Sequence, residues 1–173
     1  FPNLISYSLL QKILTNLLKE GVPIRDMETI IETILEQGTG KDVDGLIEAI
    51  RIALKRTITR LYCEDGSMKV ITLDSDLERT LVSSITKGEG GFYLAIGPDI
   101  LQSMIGQMTS LLKKFDSFGQ APVILTSQVM RIHFYHLIEQ FYPNVRVLSF
   151  NEIAGNIQIQ SIGNLSLGAE EKK

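Results

Sequence analysis

At 173 residues the chain has room for one ordinary domain or two small ones. Its 44% hydrophobic and 21% charged residues are those of a globular chain that can bury enough apolar surface to offset chain entropy, which excludes disorder as the default state. Seventeen basic side chains against twenty acidic ones leave a formal net charge of −3, so no broad positive field exists to hold nucleic acid or anionic lipid.

The one cysteine, Cys63, excludes an internal disulfide framework and a multi-cysteine metal site, and reads as a small, partly buried apolar residue. No apolar run approaches the roughly 20 residues of a membrane span. The opening Phe1-Pro2-Asn3-Leu4 has neither the basic segment nor the cleavable apolar stretch of a signal peptide, and its lack of Met is expected of a piece of a longer protein.

Up to residue 60 the signals are helical. Ser8 and Gln11 have capping-box spacing, and Leu10, Ile13, Leu14, Leu17 and Leu18 then fall on one helix face. Gly21 and Pro23 end that helix. A second is predicted to start near Pro23 or Asp26, with Met27, Ile30, Ile31, Ile34 and Leu35 facing inward, and to stop at Gly38-Thr39-Gly40. Asp42 is the predicted cap of a third, whose stripe is Leu46, Ile47, Ile50, Leu54, Ile58 and Leu61. Helices this short gain most of their stability by burying apolar faces on one another, so a three-helix unit over residues 1–61 is expected.

The period then changes. Met68–Leu73 is a β-rich run bounded by Asp65-Gly66 and Asp74, and Ser75 with Glu78 forms a second capping box for a helix to about Thr86. Gly88-Glu89-Gly90-Gly91 reads as a flexible loop before the apolar stretch Phe92–Ile96, and Pro98 suits the first turn of a helix running to about Phe118. Ala121–Thr126, a helix over about Ser127–Phe141, and Val145–Ser149 make a strand, helix, strand succession that implies a parallel pair. Residues 157–162 alternate as a last, half-exposed strand. The expected fold class is therefore mixed α/β: a helical subdomain over 1–61, a joint at Tyr62–Ser67, a small α/β subdomain with a partly parallel sheet over 62–167, and a polar, frayed tail at 168–173.

No pattern carries catalytic chemistry. Lys87-Gly88-Glu89-Gly90-Gly91 follows a helix and puts a carboxylate where a phosphate would sit, the reverse of a phosphate-binding loop. His133, His136 and Glu139 share a helix but drift around it at successive steps of three, so they do not focus on one metal. Thr126-Ser127 occupies a strand-to-helix turn without the flanking glycines of a nucleophile elbow. The crevice at the strand ends near Thr126 and Ser149 is a ligand site by fold-level analogy only. No catalytic, cofactor-binding or metal residue is assigned.

Charge on the helical unit is more informative. Arg51, Lys55, Arg56 and Arg60 lie toward a helix C-terminus, where each is favoured by about 0.3 to 1 kcal/mol. Arg25 lies at a helix N-terminus, where the dipole disfavours a cation, so it needs Asp26, Glu28 or a group outside this chain as partner.

The run from Leu9 to Asp26, with Leu10-Gln11, Asn16-Leu17-Leu18, Glu20, Val22 and Ile24-Arg25-Asp26 in unbroken spacing, resembles the signature of the FlhA/SctV (FHIPEP) family of type III secretion export-gate proteins. Thr29–Ile34, Arg51–Ile58, Val70–Leu73 and Val147–Ile153 continue the resemblance over nearly the whole chain. It implies a multi-pass inner-membrane protein of the bacterial flagellar or virulence apparatus, with Val147–Ile153 favouring the flagellar branch. This chain resembles the last two of four cytoplasmic subdomains, on the cytoplasmic face of the inner membrane. The resemblance implies a homo-oligomeric ring and docking of export substrates, their chaperones, ATPase-complex components and other gate components, with no enzymatic activity, no cofactor and no nucleic acid. Arg25, Asp26, Glu48, Arg51 and Arg56 are the candidate ring or partner contacts, chosen as exposed charge on the helical unit. The alternative is a small α/β ligand- or nucleotide-binding enzyme domain with a helical extension.

Overall fold

The structure, a computed structural model, describes residues 4–38 and 40–168. Phe1 to Asn3, Thr39 and the polar tail beyond Gly168 lie outside the described residues. The chain divides into two compact units, and the division is not a single cut. One unit runs to Leu61 and takes in Asn151–Gly155 as well; the other is Tyr62–Phe150 and the chain from Asn156 onward. Among the described residues no helix is long and apolar enough to cross a membrane.

The helical unit holds α1 (Tyr7–Lys19), α2 (Met27–Gln37), α3 (Val43–Ala53) and α4 (Lys55–Tyr62). Helix α1 starts earlier than the Ser8 capping box predicts: Ser6 is the cap, its hydroxyl accepting from the Leu9 amide at 3.1 Å. The reason is Ile5, which is buried just ahead of the cap, in the position of a hydrophobic staple that fixes how the chain enters the helix. At the other end Gly21 takes φ +74°, the Gly21 amide donates to Leu18 and the Val22 amide to Leu17, a Schellman arrangement that closes the helix with Val22 buried. Asp42 caps α3 as expected, accepting from the Gly45 amide, and of the two predicted starts of α2 the structure takes Asp26, which caps it by accepting from the Thr29 amide.

The predicted third helix is two, because Leu54 leaves helical geometry at φ −91°, ψ 14° and α4 starts at the next residue. Ile13, Leu17, Ile30, Ile34, Leu46, Ile47, Ile50, Leu54 and Ile58 form the core of the unit. Leu18, Leu35 and Leu61, each assigned to an inward stripe, are exposed instead.

The second unit is built on a five-stranded mixed sheet. Strand β1 (Cys63–Glu64) pairs antiparallel with β2 (Ser67–Leu73) through a two-residue turn, Asp65-Gly66, with both φ values positive as a type I′ turn demands. The expected joint is thus a hairpin. Helix α5 (Ser75–Ser83) follows, capped by Asp74 rather than by Ser75. Strands β3 (Ile85–Gly88) and β4 (Gly91–Leu94) form a separate antiparallel hairpin where a flexible loop was expected. Helix α6 (Pro98–Leu112) continues into a 3₁₀ turn at Lys113–Phe118.

Strand β5 (Val123–Thr126), helix α7 (Gln128–Ile138) and β6 (Arg146–Ser149) form the predicted succession, and β5 and β6 are parallel. The last strand, β7 (Gln158–Leu165), runs parallel to β2 along its whole length. A strand has two edges, so β1 and β5 share the other edge of β2, at Ser67-Met68 and at Ile71-Thr72. Residues Gln158–Ser161 of β7 are exposed throughout, so the alternation read from the sequence is not an inside-outside pattern there. A bulge then slips the register at Ile162. Leu77 and Leu81 of α5, Met104 and Met108 of α6, and Met130, Phe134 and Ile138 of α7 pack with Ile71, Ile124, Val147 and Leu165 as the core of this unit.

Candidate functional site

The five charged residues singled out from the sequence divide into a surface group and a buried one. Arg25 is exposed in the turn before α2, and among the described residues it makes no ion pair, so the expected pairing with Asp26 or Glu28 does not form. Asp26 is occupied otherwise. Its carboxylate accepts from the Thr29 hydroxyl at 2.7 Å and from the Thr29 amide at 3.1 Å, which holds its pKa below the usual aspartate value. Arg56 is exposed in the first turn of α4, and Glu48 is half-buried on α3.

Arg51 does not belong to the surface group. Expected as an exposed contact, it is buried, its side chain 2% accessible, facing Glu152 at 0% and Glu20 at 5%. Its Nε donates to Glu152 Oε1 at 2.6 Å and its Nη2 to Glu152 Oε2 at 3.0 Å, a two-pronged pair that suits the planar guanidinium. Nη1 stands 3.6 Å from Glu20 Oε1 at the end of α1. Burial of an unpaired guanidinium costs several kcal/mol, and these carboxylates offset part of that cost in a cluster that is closed to solvent.

Thr59 was not singled out by sequence reasoning, and Glu20 and Glu152 entered only as positions of the family resemblance, with no role assigned. The Thr59 hydroxyl on α4 donates to the Glu152 carbonyl at 3.2 Å and accepts from the Ala154 amide at 2.9 Å. One signal was available: Arg51 follows Ile47 by four and precedes Leu54 by three, inside the apolar stripe, where a cation demands a buried partner. Nothing local identifies that partner, 101 positions away.

The carboxyl end of β5 is where an α/β fold would take a ligand. The Ser127 amide, at the N-terminus of α7, donates to Glu78 Oε1 of α5 at 2.8 Å, so the protein's own carboxylate occupies the position an incoming anion would need. This also explains why Glu78 does not complete the expected capping box of α5. The Ser127 hydroxyl is buried and has no hydrogen-bond partner among the described residues.

His133 is half-buried and His136 exposed on α7, with His136 Nδ1 3.7 Å from Glu139 Oε1. With Phe92, Tyr93 and Leu94 of β4, and with Leu137 and Gln140, they line a shallow groove. Among the described residues no three His, Cys, Asp or Glu side chains are grouped to hold a metal ion. The Gly88–Gly91 segment is the turn of the β3–β4 hairpin rather than a phosphate cradle.

Comparison with known proteins gives a consistent set of likenesses. The profile of the FHIPEP family matches residues 1–158. The flagellar biosynthesis protein FlhA of Bacillus subtilis (strain 168) is 34% identical over 164 residues, which is 94% of this chain and 24% of that protein. Among solved structures, nonameric EPEC SctV-C is 36% identical with a TM-score of 0.80, over 92% of this chain and 48% of that one. CdsV of Chlamydia pneumoniae, solved in complex with CdsO, is 32% identical with a TM-score of 0.84, over 95% of this chain and 49% of that one. The chain thus spans about a quarter of the curated relative and about half of each of the two solved chains.

Proposed function

The chain belongs to the FHIPEP family, and from that premise we propose that it supplies the last two subdomains of the cytoplasmic region of a type III secretion export gate. In this reading it helps build a homo-oligomeric ring on the cytoplasmic face of the bacterial inner membrane, and docks export substrates, their chaperones and components of the ATPase complex. Work of this kind is done by surface recognition without a covalent step. The observation that carries the reading is the family match over residues 1–158, joined to the likeness to a chain that forms a nonamer. A relative solved with CdsO bound supports the docking of other proteins. The flagellar branch is the finer assignment, supported by 34% identity to a flagellar FlhA over 164 residues.

The proposed ring or partner contacts are Arg25, Asp26, Glu48 and Arg56, all reachable from solvent on the helical unit. Arg51 serves them indirectly, from the interior. The test is charge reversal in the full-length gene. Arg25→Glu and Arg56→Glu are expected to weaken ring assembly and reduce secretion of flagellar export substrates in a host lacking its own copy. Normal secretion by both variants would remove these residues from the contact surface. Normal secretion after deletion of the whole region would remove the gate reading itself.

A further inference from the structure

The five residues Asn151–Gly155 are attached at both ends to strands of the second unit, yet they group with the helices. What holds them there is specific. The Glu152 carboxylate grips Arg51 on α3 with two charge-assisted bonds, and the same residue's carbonyl accepts from Thr59 on α4. The Ala154 amide then donates back to the Thr59 hydroxyl, so that hydroxyl serves as donor and acceptor to one strap. Arg51 and Thr59 lie on opposite sides of Leu54, the single residue that separates α3 from α4.

The intrahelical ladder does not carry the angle across a break of one residue, so tertiary contacts set it. Ile50, Leu54 and Ile58 are buried at the break and on either side of it, and the strap adds bonds to each helix across it. Glu48 lies three residues before Arg51, and Arg56 three before Thr59, so the separation of these two charges follows from the same angle.

We infer that Glu152 and Thr59 are positioning residues for self-assembly: from the interior, they hold the α3 and α4 parts of the charged surface in the register that a neighbouring copy requires. The inference rests on the proposal that the helical unit makes the ring contacts. It deepens that proposal by naming groups that touch no neighbour and yet control the contact. A two-pronged carboxylate with flanking backbone bonds suits such a role, because it demands one geometry and rejects others.

The experiment uses the full-length protein purified in detergent, with ring formation followed by native mass spectrometry over a range of concentrations. Helix content is recorded by circular dichroism at the same temperature. Thr59→Val keeps the shape and removes both hydroxyl bonds, whereas Thr59→Ser keeps them. Thr59→Val and Glu152→Gln are expected to raise the concentration of half-assembly about tenfold or more at unchanged helix content, a factor equivalent to about 1.4 kcal/mol. Thr59→Ser should stay within about twofold of the native protein, because the hydroxyl and its two bonds are retained.

Assembly by Thr59→Val and Glu152→Gln at the native concentration overturns the inference. So does a loss that only parallels a loss of helix content, or one that Thr59→Ser shares in full, since each is the mark of a merely structural role. Arg25→Glu and Arg56→Glu, run alongside, separate the two readings. If they impair assembly and the Thr59 and Glu152 variants do not, the strap inference alone fails. If they do not impair it while Thr59→Val does, Arg25 and Arg56 are not the contacts, and the inference in terms of the charged surface fails with them.

Discussion

Removing the guanidinium of Arg51 is the most direct test of the buried charge cluster. Arg51→Met retains much of the aliphatic volume but deletes the bonds of 2.6 and 3.0 Å to Glu152 and the nearby charge facing Glu20. Two carboxylates then remain in surroundings nearly closed to water. Breaking a buried pair from one side costs about 3–5 kcal/mol, mostly because of the charge left behind. For a chain of this size that corresponds to a fall in Tm of roughly 6–20 °C.

A cycle with Glu152→Leu separates the pair from its surroundings. Because the double variant removes the stranded charge with the cation, it is expected to be more stable than the sum of the single losses by about 2 kcal/mol. Urea unfolding followed by circular dichroism measures all four corners. A loss below about 1 kcal/mol for Arg51→Met, the value of a solvent-screened surface pair, would refute the claim that this cluster is dry.

Four further outcomes follow from other parts of the molecule. Glu78→Ala leaves the Ser127 amide without its carboxylate and is expected to cost about 1–3 kcal/mol in urea unfolding; titrating the native protein with ATP, magnesium or inorganic phosphate should produce no saturable shift in Tm, and a saturable one would revive the enzyme alternative. The Asp26 carboxylate is more acidic folded than unfolded, so its contribution to α2 is present above the unfolded pKa and is lost as pH falls through the lower, folded one. An NMR pH titration of the Thr29 amide should therefore have its midpoint below the usual aspartate value, and a midpoint at or above it contradicts the hydrogen bonding described. Gly66→Ala forces a side chain onto a φ of +75° and is expected to cost about 1–2 kcal/mol, whereas an unmoved urea midpoint would mean that the β1–β2 turn relaxes freely.

Much of the fold was legible because the signals are local. Asp42 is a cap in the sequence and in the structure, and the change of period after residue 60 marks the passage from helices to strands. Where two capping residues compete, local pattern does not choose between them. Ser6 displaces Ser8 because of the burial of Ile5, and Asp74 displaces Ser75 in the α5 cap while Glu78 is engaged by Ser127, a residue far along the chain. The β3–β4 hairpin was missed because Thr86, Lys87 and Phe92 are all exposed, so burial imposes no alternation, and the glycines of its turn read as a loop. The buried cluster was missed for a different reason. Arg51 sits in the apolar stripe of α3, but an ion pair closed over 101 positions leaves no periodic trace at Glu152.

That closure has a consequence for inheritance. A unit that draws its last five residues from far downstream cannot be lifted from one gene and placed in another as a single cassette. Recombination that exchanges the first 61 residues between two relatives would set one parent's Arg51 and Thr59 against the other parent's Glu152 and Ala154. Chimaeras cut there should regain full stability when residues 151–155 are brought from the same parent as the helices.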